Sequence, residues 1–186
     1  VDIMREINTL TPSYSGITPE RLMRGEKLQW PCPTVDHPGT QYLHREKFTR
    51  GLGKFHPVDF IPPAELPDEE YPFILSTGRI LYHYHTATMT RKSSALTRFI
   101  NDAYMEINPS DMEKLNIKDG EKVKVKSRRG SIEIKAAASD RVFPGLVFIP
   151  FHFSEAAANI LTNDALDPVA KIPEFKVCAC RIEKLK

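Results

Sequence analysis

The sequence predicts a mainly β fold in which short strands close into a barrel and short helices cover it. Three observations predict this. The chain has 186 residues, 41% of them hydrophobic and 27% charged, enough apolar material to bury a core without disulfides and too much for disorder. Lys and Val alternate over Lys122–Lys126, and Ile132, Ile134 and Ala136 alternate with polar residues over Ser131–Ala137. With Arg129-Gly130 between them, these segments show the period of two that a half-buried hairpin needs. Further short apolar runs recur, each ended by a turn residue, as a fold of many short strands requires.

The elements follow in order. Ile3, Met4, Ile7 and Leu10 share one helical face, so the chain opens in a helix. Thr18 and Pro19 start a second helix, as N-cap and first helical residue, and Gly25 ends it. From Trp30 to Pro63 no period persists. Nine of the 15 prolines precede residue 68, which reads as extended, wrapping chain. Compact β structure begins at Asp68. Strands are expected over Tyr71–Thr77, ending at Gly78, and over Tyr104–Ile107. Asn108 then caps a short helix with Met112 and Leu115 inward. Lys118-Asp119-Gly120 turns into the hairpin, and Pro144-Gly145 leads into a strand over Leu146–Ile149. Ala156–Leu161 reads as a short helix and Phe175–Ile182 as the last strand. Val1 enters directly into a helical pattern, which reads as a chain beginning inside a larger structure; a processed or tagged terminus is the alternative.

A net charge of +2 from 26 basic and 24 acidic residues gives no general basis for binding nucleic acid or a membrane surface. No run approaches the roughly 18 apolar residues of a spanning helix. The first residues lack signal-peptide character, so a cytoplasmic location is expected. Three cysteines, Cys32, Cys178 and Cys180, suit reduced thiols.

The stretch Ser76–Asn101 carries Arg79, Arg91, Lys92 and Arg98, many hydroxyls and no acid. It suits a phosphate-bearing ligand. Gly78 admits close approach to the backbone, and Arg79 can grip a phosphate with two parallel hydrogen bonds. A solvated polar loop is the alternative. His83 and His85, if on a strand, share one face. They can hold a metal only with a third ligand, and the next carboxylates are distant in sequence. Hydrogen bonding to a polar ligand and burial in the barrel are the other readings, and no metal ligand is assigned. Cys178 and Cys180 read as buried small side chains. Cys32, flanked by prolines without a histidine base, is not a nucleophile. The Asn159 amide can read a heterocycle edge or bond locally. There is no phosphate loop of the Walker or dinucleotide type, no Ser-His-Asp set and no acid-base carboxylate pair. The chain reads as the binder of a cofactor, with no catalytic residue of its own.

Ser76-Thr77-Gly78-Arg79, His83-Tyr84-His85-Thr86, Met89-Thr90-Arg91, Glu106-Ile107-Asn108-Pro109, Ser127-Arg128-Arg129-Gly130, Phe151-His152-Phe153, Ala157-Ala158-Asn159 and Lys171-Ile172-Pro173-Glu174-Phe175-Lys176 carry a resemblance. Nearly the whole chain resembles the C-terminal part of the catalytic subunit of molybdenum- or tungsten-dependent formate dehydrogenases, in the molybdopterin oxidoreductase family. The resemblance implies a six-stranded double-psi β-barrel over residues 70–186. It implies that residues 1–28 are the helical end of a preceding cofactor domain and 29–69 a proline-rich arm. It implies a bis(molybdopterin guanine dinucleotide) cofactor carrying Mo or W. Thr77, Gly78 and Arg79 would lie along the pterin and diphosphate, with His83, His85 and Thr86 following on the same ligand. Phe151, His152, Asn159, Phe175 and Lys176 would line the opposite side.

The family's four-cysteine motif for a 4Fe-4S cluster and its cysteine or selenocysteine metal ligand do not occur in this sequence. The resemblance therefore places both elsewhere in the enzyme and makes this chain alone inert. Its implied partners are the remainder of the catalytic subunit and electron-transfer subunits with iron–sulfur clusters. The implied reaction is oxidation of formate to CO2, or its reverse. A nitrate reductase or another member of the family is the alternative enzyme. A non-catalytic double-psi barrel adaptor is the alternative of another class.

Overall fold

The computed structural model describes residues 1–185. They fall into two compact units, Val1–Asp59 and the chain from Phe60 onward.

In the first unit α1 spans Asp2–Leu10 and α2 spans Pro19–Met23. The Thr18 hydroxyl caps α2 by accepting from the Arg21 amide at 3.3 Å. Gly25 ends the helix at φ +80°, a conformation that costs glycine little. The unit's small interior gathers around Arg21, whose Nη1 donates to the carbonyls of Gly16 at 2.9 Å and His37 at 3.0 Å. Its Nε pairs with Glu26 at 2.6 Å. Cys32 is fully enclosed beside it. No residue of α1 is buried.

The second unit contains β1 (Phe73–Gly78), α3 (Ser94–Thr97), β2 (Tyr104–Ile107), α4 (Pro109–Leu115), β3 (Lys122–Lys126), β4 (Ser131–Ala138), β5 (Leu146–Pro150) and β6 (Cys178–Lys184). The strands close in the order β1-β5-β2-β4-β3-β6. This is the six-stranded barrel expected from the sequence. Two pairs, β1 with β5 and β2 with β4, are parallel, and the other four are antiparallel. Leu75, Met105, Ile107, Val123, Val125, Ala136, Val147 and Ile149 fill the core with no exposed surface. Each of the larger aliphatic chains contributes about 1.5–3 kcal/mol by leaving water. Cys178 and Cys180 are buried on one side of β6. Asn108 caps α4 through its side-chain oxygen, and Asn116 closes it at φ 53°.

The second unit begins before residue 70 because residues 60–69 are tied to the barrel. The Ala64 amide donates to Glu174 at 3.0 Å. Glu65 receives both Arg129 guanidinium nitrogens at 2.8 and 2.7 Å, an Arg128 nitrogen, and the Ala179 amide at 3.1 Å. The guanidinium groups of Arg128 and Arg181 both lie over the Tyr71 ring, at 4.5 and 5.5 Å from its centroid.

Three local expectations are corrected. Ala156–Leu161 is not one helix: two single 3-10 turns, Ser154–Ala156 and Ala158–Ile160, are separated by extended backbone at Ala157. The last strand starts at Cys178 rather than Phe175. Asn163 Nδ2 donates to the Val177 carbonyl at 3.0 Å and diverts the chain before it. His83 and His85 lie on no strand; the chain turns there, and His85 and Ala87 take left-handed backbone angles of 48° and 58°.

Candidate functional site

The parallel register of β1 and β5 sets Gly78 against Pro150. The residues that follow, Arg79-Ile80 and Phe151-His152, therefore leave the barrel side by side. A crevice beyond the carboxyl ends of parallel strands is where α/β sheets place ligands, and this barrel creates the same opportunity with one parallel pair. The Phe151 amide donates to the Gly78 carbonyl at 3.1 Å, which keeps the two exits together for one more residue.

A third segment closes on them. The Thr77 hydroxyl donates to the Phe175 carbonyl at 2.6 Å, and Lys176 Nζ donates to the Thr77 carbonyl at 2.8 Å. Gly78 sits in this corner with no room for a side chain. A Cβ there would lie 2.6 and 2.9 Å from ring carbons of Phe148 and 3.7 Å from Lys176 Nζ. Phe151, Asn159, Thr162, Asn163, Pro173 and Phe175 line a hollow of about 330 Å³ beside it. Two aromatic rings and the Asn159 amide make that hollow suited to a flat heterocycle, while the Asn163 amide is engaged by Val177 and Ala165.

The electrostatics favour an anion. Arg79 is exposed and lies over the Phe151 ring at 5.2 Å from its centroid. Among the described residues no carboxylate pairs with Arg79, Lys92, Arg98 or Lys176, whereas Arg91 is held by Glu155 at 2.8 Å. The Lys176 ammonium spends one donor on Thr77 and keeps two.

His152 is buried, and both its ring nitrogens are occupied. The Ile80 amide donates to Nε2 at 2.9 Å, and Nδ1 meets the His85 carbonyl. These partners fix the neutral form with the proton on Nδ1. Burial lowers its pKa below the ordinary imidazole value, against the raising effect of the bond to His85. His83 is likewise buried and doubly engaged. Its Nε2 donates to the Ile100 carbonyl at 2.8 Å, and Nδ1 accepts from the Thr90 hydroxyl at 3.1 Å. Its ring stands edge-on to Phe153 at 5.6 Å.

The fold thus brings Thr77, Gly78, Arg79, Phe151, Phe175 and Lys176 to one corner, with Asn159 on the hollow beside it. It turns His83 and His152 inward. His85 and Thr86 are exposed on the loop, where the Thr86 hydroxyl bonds that of Thr88 at 2.8 Å. Thr162, Asn163 and Pro173 were not among the expected site residues. Each lies within four residues of an expected one in sequence, but nothing in their spacing marks them; only the fold places them on the hollow. No group of three His, Cys, Asp or Glu among the described residues is arranged to hold a metal ion. A second hollow of about 360 Å³, between His37 and Arg45 in the first unit, has no buried unpaired polar atom among its lining residues, so it adds no case for a ligand.

Comparison with known proteins sharpens this picture. The family model described as Molydopterin dinucleotide binding domain matches residues 73–179. The chain is 52% identical over 186 residues to the F420-dependent formate dehydrogenase subunit alpha of Methanocaldococcus jannaschii, covering 99% of this chain and 28% of that protein. It is 50% identical to F420-dependent formate dehydrogenase 1 subunit alpha of Methanococcus maripaludis, covering 99% and 27%. The assimilatory nitrate reductase catalytic subunit of Bacillus subtilis is 43% identical over 175 residues, covering 91% and 24%. The chain thus spans about a quarter of the length of these relatives. Acetylene hydratase from Pelobacter acetylenicus superposes with a TM-score of 0.55 at 18% identity, over 63% of this chain and 19% of that one, a likeness of fold.

Proposed function

The chain belongs to the molydopterin dinucleotide binding domain family, and on that premise we propose that it is the cofactor-holding C-terminal part of a formate dehydrogenase catalytic subunit. One observation carries the reading. The β1–β5 exit brings Arg79 and Lys176, neither paired with a carboxylate among the described residues, to the side-chain-free Gly78 and beside a hollow walled by Phe151 and Phe175. This fits a phosphate-bearing, flat-ringed group. The greater identity to the F420-dependent formate dehydrogenase alpha subunits than to the Bacillus subtilis nitrate reductase supports formate as the substrate.

In this reading Arg79 and the free donors of Lys176 bind the diphosphate of bis(molybdopterin guanine dinucleotide). Phe151 and Phe175 wall the ring system, and the Asn159 amide reads a heterocycle edge. His85 and Thr86 offer further donors from the loop. Thr77 contributes by anchoring Phe175. When bound, the Mo or W centre supplies the two-electron chemistry that converts formate to CO2. This chain's residues bind and orient; they move no proton in the chemical step. The remainder of the catalytic subunit supplies the metal ligand and the 4Fe-4S cluster, and electron-transfer subunits take the electrons onward. The same proposal includes a junction with that remainder over residues 1–69. It also includes a reducing, cytoplasmic setting, supported by three buried free thiols. No helix among the described residues is long and apolar enough to cross a membrane.

The test is formate-dependent viologen reduction by the native assembly, with assay of guanine nucleotide in its acid extract. Both are expected. Nucleotide without formate activity, in a fully metallated assembly, moves the substrate to nitrate or another oxyanion. Absence of nucleotide turns the barrel into an adaptor.

A further inference from the structure

We propose that His152 is a positioning residue rather than a cofactor ligand: it pins the loop Ile80–His85 to the end of β5 and thereby fixes where Arg79 presents its charge. The inference rests on the functional reading above for the identity of the ligand, but its geometry is independent of it. His152 is 1% exposed and directly follows Phe151, the residue whose ring lies under Arg79. It accepts from the Ile80 amide at 2.9 Å and donates to the His85 carbonyl. These two contacts bracket the six residues 80–85. The loop has no strand pairing over that stretch, so its backbone groups there depend on contacts of this kind.

Arg79 is the residue immediately before the first pin, and Phe151 the one immediately before His152. One imidazole therefore sets the spacing between the cation and the ring that supports it. A neutral imidazole suits this task, because it offers one donor and one acceptor in a fixed plane. A protonated ring would have to donate at Nε2, where the Ile80 N–H already points. The charged and titratable groups around the ring are Arg79, His83 and His85. The Arg79 charge opposes protonation of the His152 ring. His83, at 6.1 Å between ring centroids, extends the arrangement by fastening the middle of the loop to Ile100 and Thr90.

The experiment uses the complete catalytic subunit with its electron-transfer partners. His152→Leu and His152→Gln are compared by hydrogen exchange at the Ile80 amide and by the rate of guanine-nucleotide loss on anaerobic dilution. Gln can still accept from the Ile80 amide; Leu cannot. Leu is expected to speed Ile80 exchange by about ten- to a hundredfold, the equivalent of one lost buried hydrogen bond, with β3 and β4 amides unchanged. Gln should recover most of that protection. Both variants are then made in an Arg79→Ala background. If His152 acts through Arg79, it adds little to nucleotide loss there; a direct ligand adds its full effect. Equal effects in both backgrounds, or unchanged Ile80 exchange in His152→Leu, overturn the proposal. A wild-type assembly without guanine nucleotide would sink the functional reading instead, leaving the exchange result to judge the pin alone.

Discussion

Gly78→Ala should test the ligand corner most directly. The added Cβ would stand 2.6 Å from Phe148 Cε2 and 2.9 Å from Cζ. Ordinary carbon contacts run about 3.5–4.0 Å, so the ring must retreat by roughly 1 Å. Its backbone cannot move with it, because Phe148 is locked opposite Ser76 and Glu106 in two strand pairings. Overpacking of this kind costs about 1–3 kcal/mol, and replacing a strand glycine returns about 0.5–1 kcal/mol. The net loss expected is about 0–2.5 kcal/mol, centred on about 1 kcal/mol, or a fall of about 3–6 °C in Tm for a unit this size. Thermal unfolding followed by circular dichroism measures it. The variant subunit should also retain less guanine nucleotide, because the displaced ring and Lys176 share the corner. Phe148→Leu shortens the obstructing side chain, so the double variant should be less damaged than the sum of the two single ones. Strict additivity of Gly78→Ala with Phe148→Leu would refute the reasoning.

Two further outcomes follow from buried ionisable groups. Burial works to raise the pKa of Glu65, but hydrogen bonds from Arg129, the Ala179 amide and Arg128 hold it below the ordinary 4.5. A depressed carboxyl stabilises the fold above its unfolded-state pKa and loses that contribution as pH falls through the folded-state value. The stability gap between wild type and Glu65→Gln, measured by urea unfolding, should therefore be full above about pH 6 and close toward acid; a gap that widens toward acid would refute this. Burial pushes the Cys180 thiol up to about 12 and raises that of Cys178. Iodoacetamide at pH 8 should leave both unmodified in the native chain and alkylate them in urea. Native labelling at the unfolded rate would contradict the packing of β6.

The barrel strands were legible because each carries its own period. Val123 and Val125 face Ile134 and Ile132 across the hairpin, as their alternation requires. Asn108 announced the start of α4 by chemistry that acts within three residues. Gly78-Arg79 stood out as a candidate because one segment sets a residue without a side chain next to a charge. The site was illegible where a contact spans the chain. Nothing near Glu65 foretells two arginines arriving from the β3–β4 turn. The histidine spacing suggested a shared strand face, but left-handed turns at His85 and Ala87 broke that period. The inward roles of His83 and His152 depend on carbonyls that only the folded loop brings near. Phe175 and Lys176 fit a strand by composition, but they stand off the sheet, bonded to Thr77.

The contacts that close the ligand corner also govern when it can exist. Thr77 and Phe175 are 98 positions apart, and Lys176 reaches back across 99. At synthesis rates of about 5–20 residues per second, the two sides emerge about 5–20 s apart. The β3–β4 hairpin is local and can form early, but β1 must wait for β5 and β6 before either of its edges is paired. Such non-local closure is slow. A nascent chain therefore cannot yet present Gly78, Arg79 and Lys176 together, and on the proposed reading cofactor loading would follow their closure.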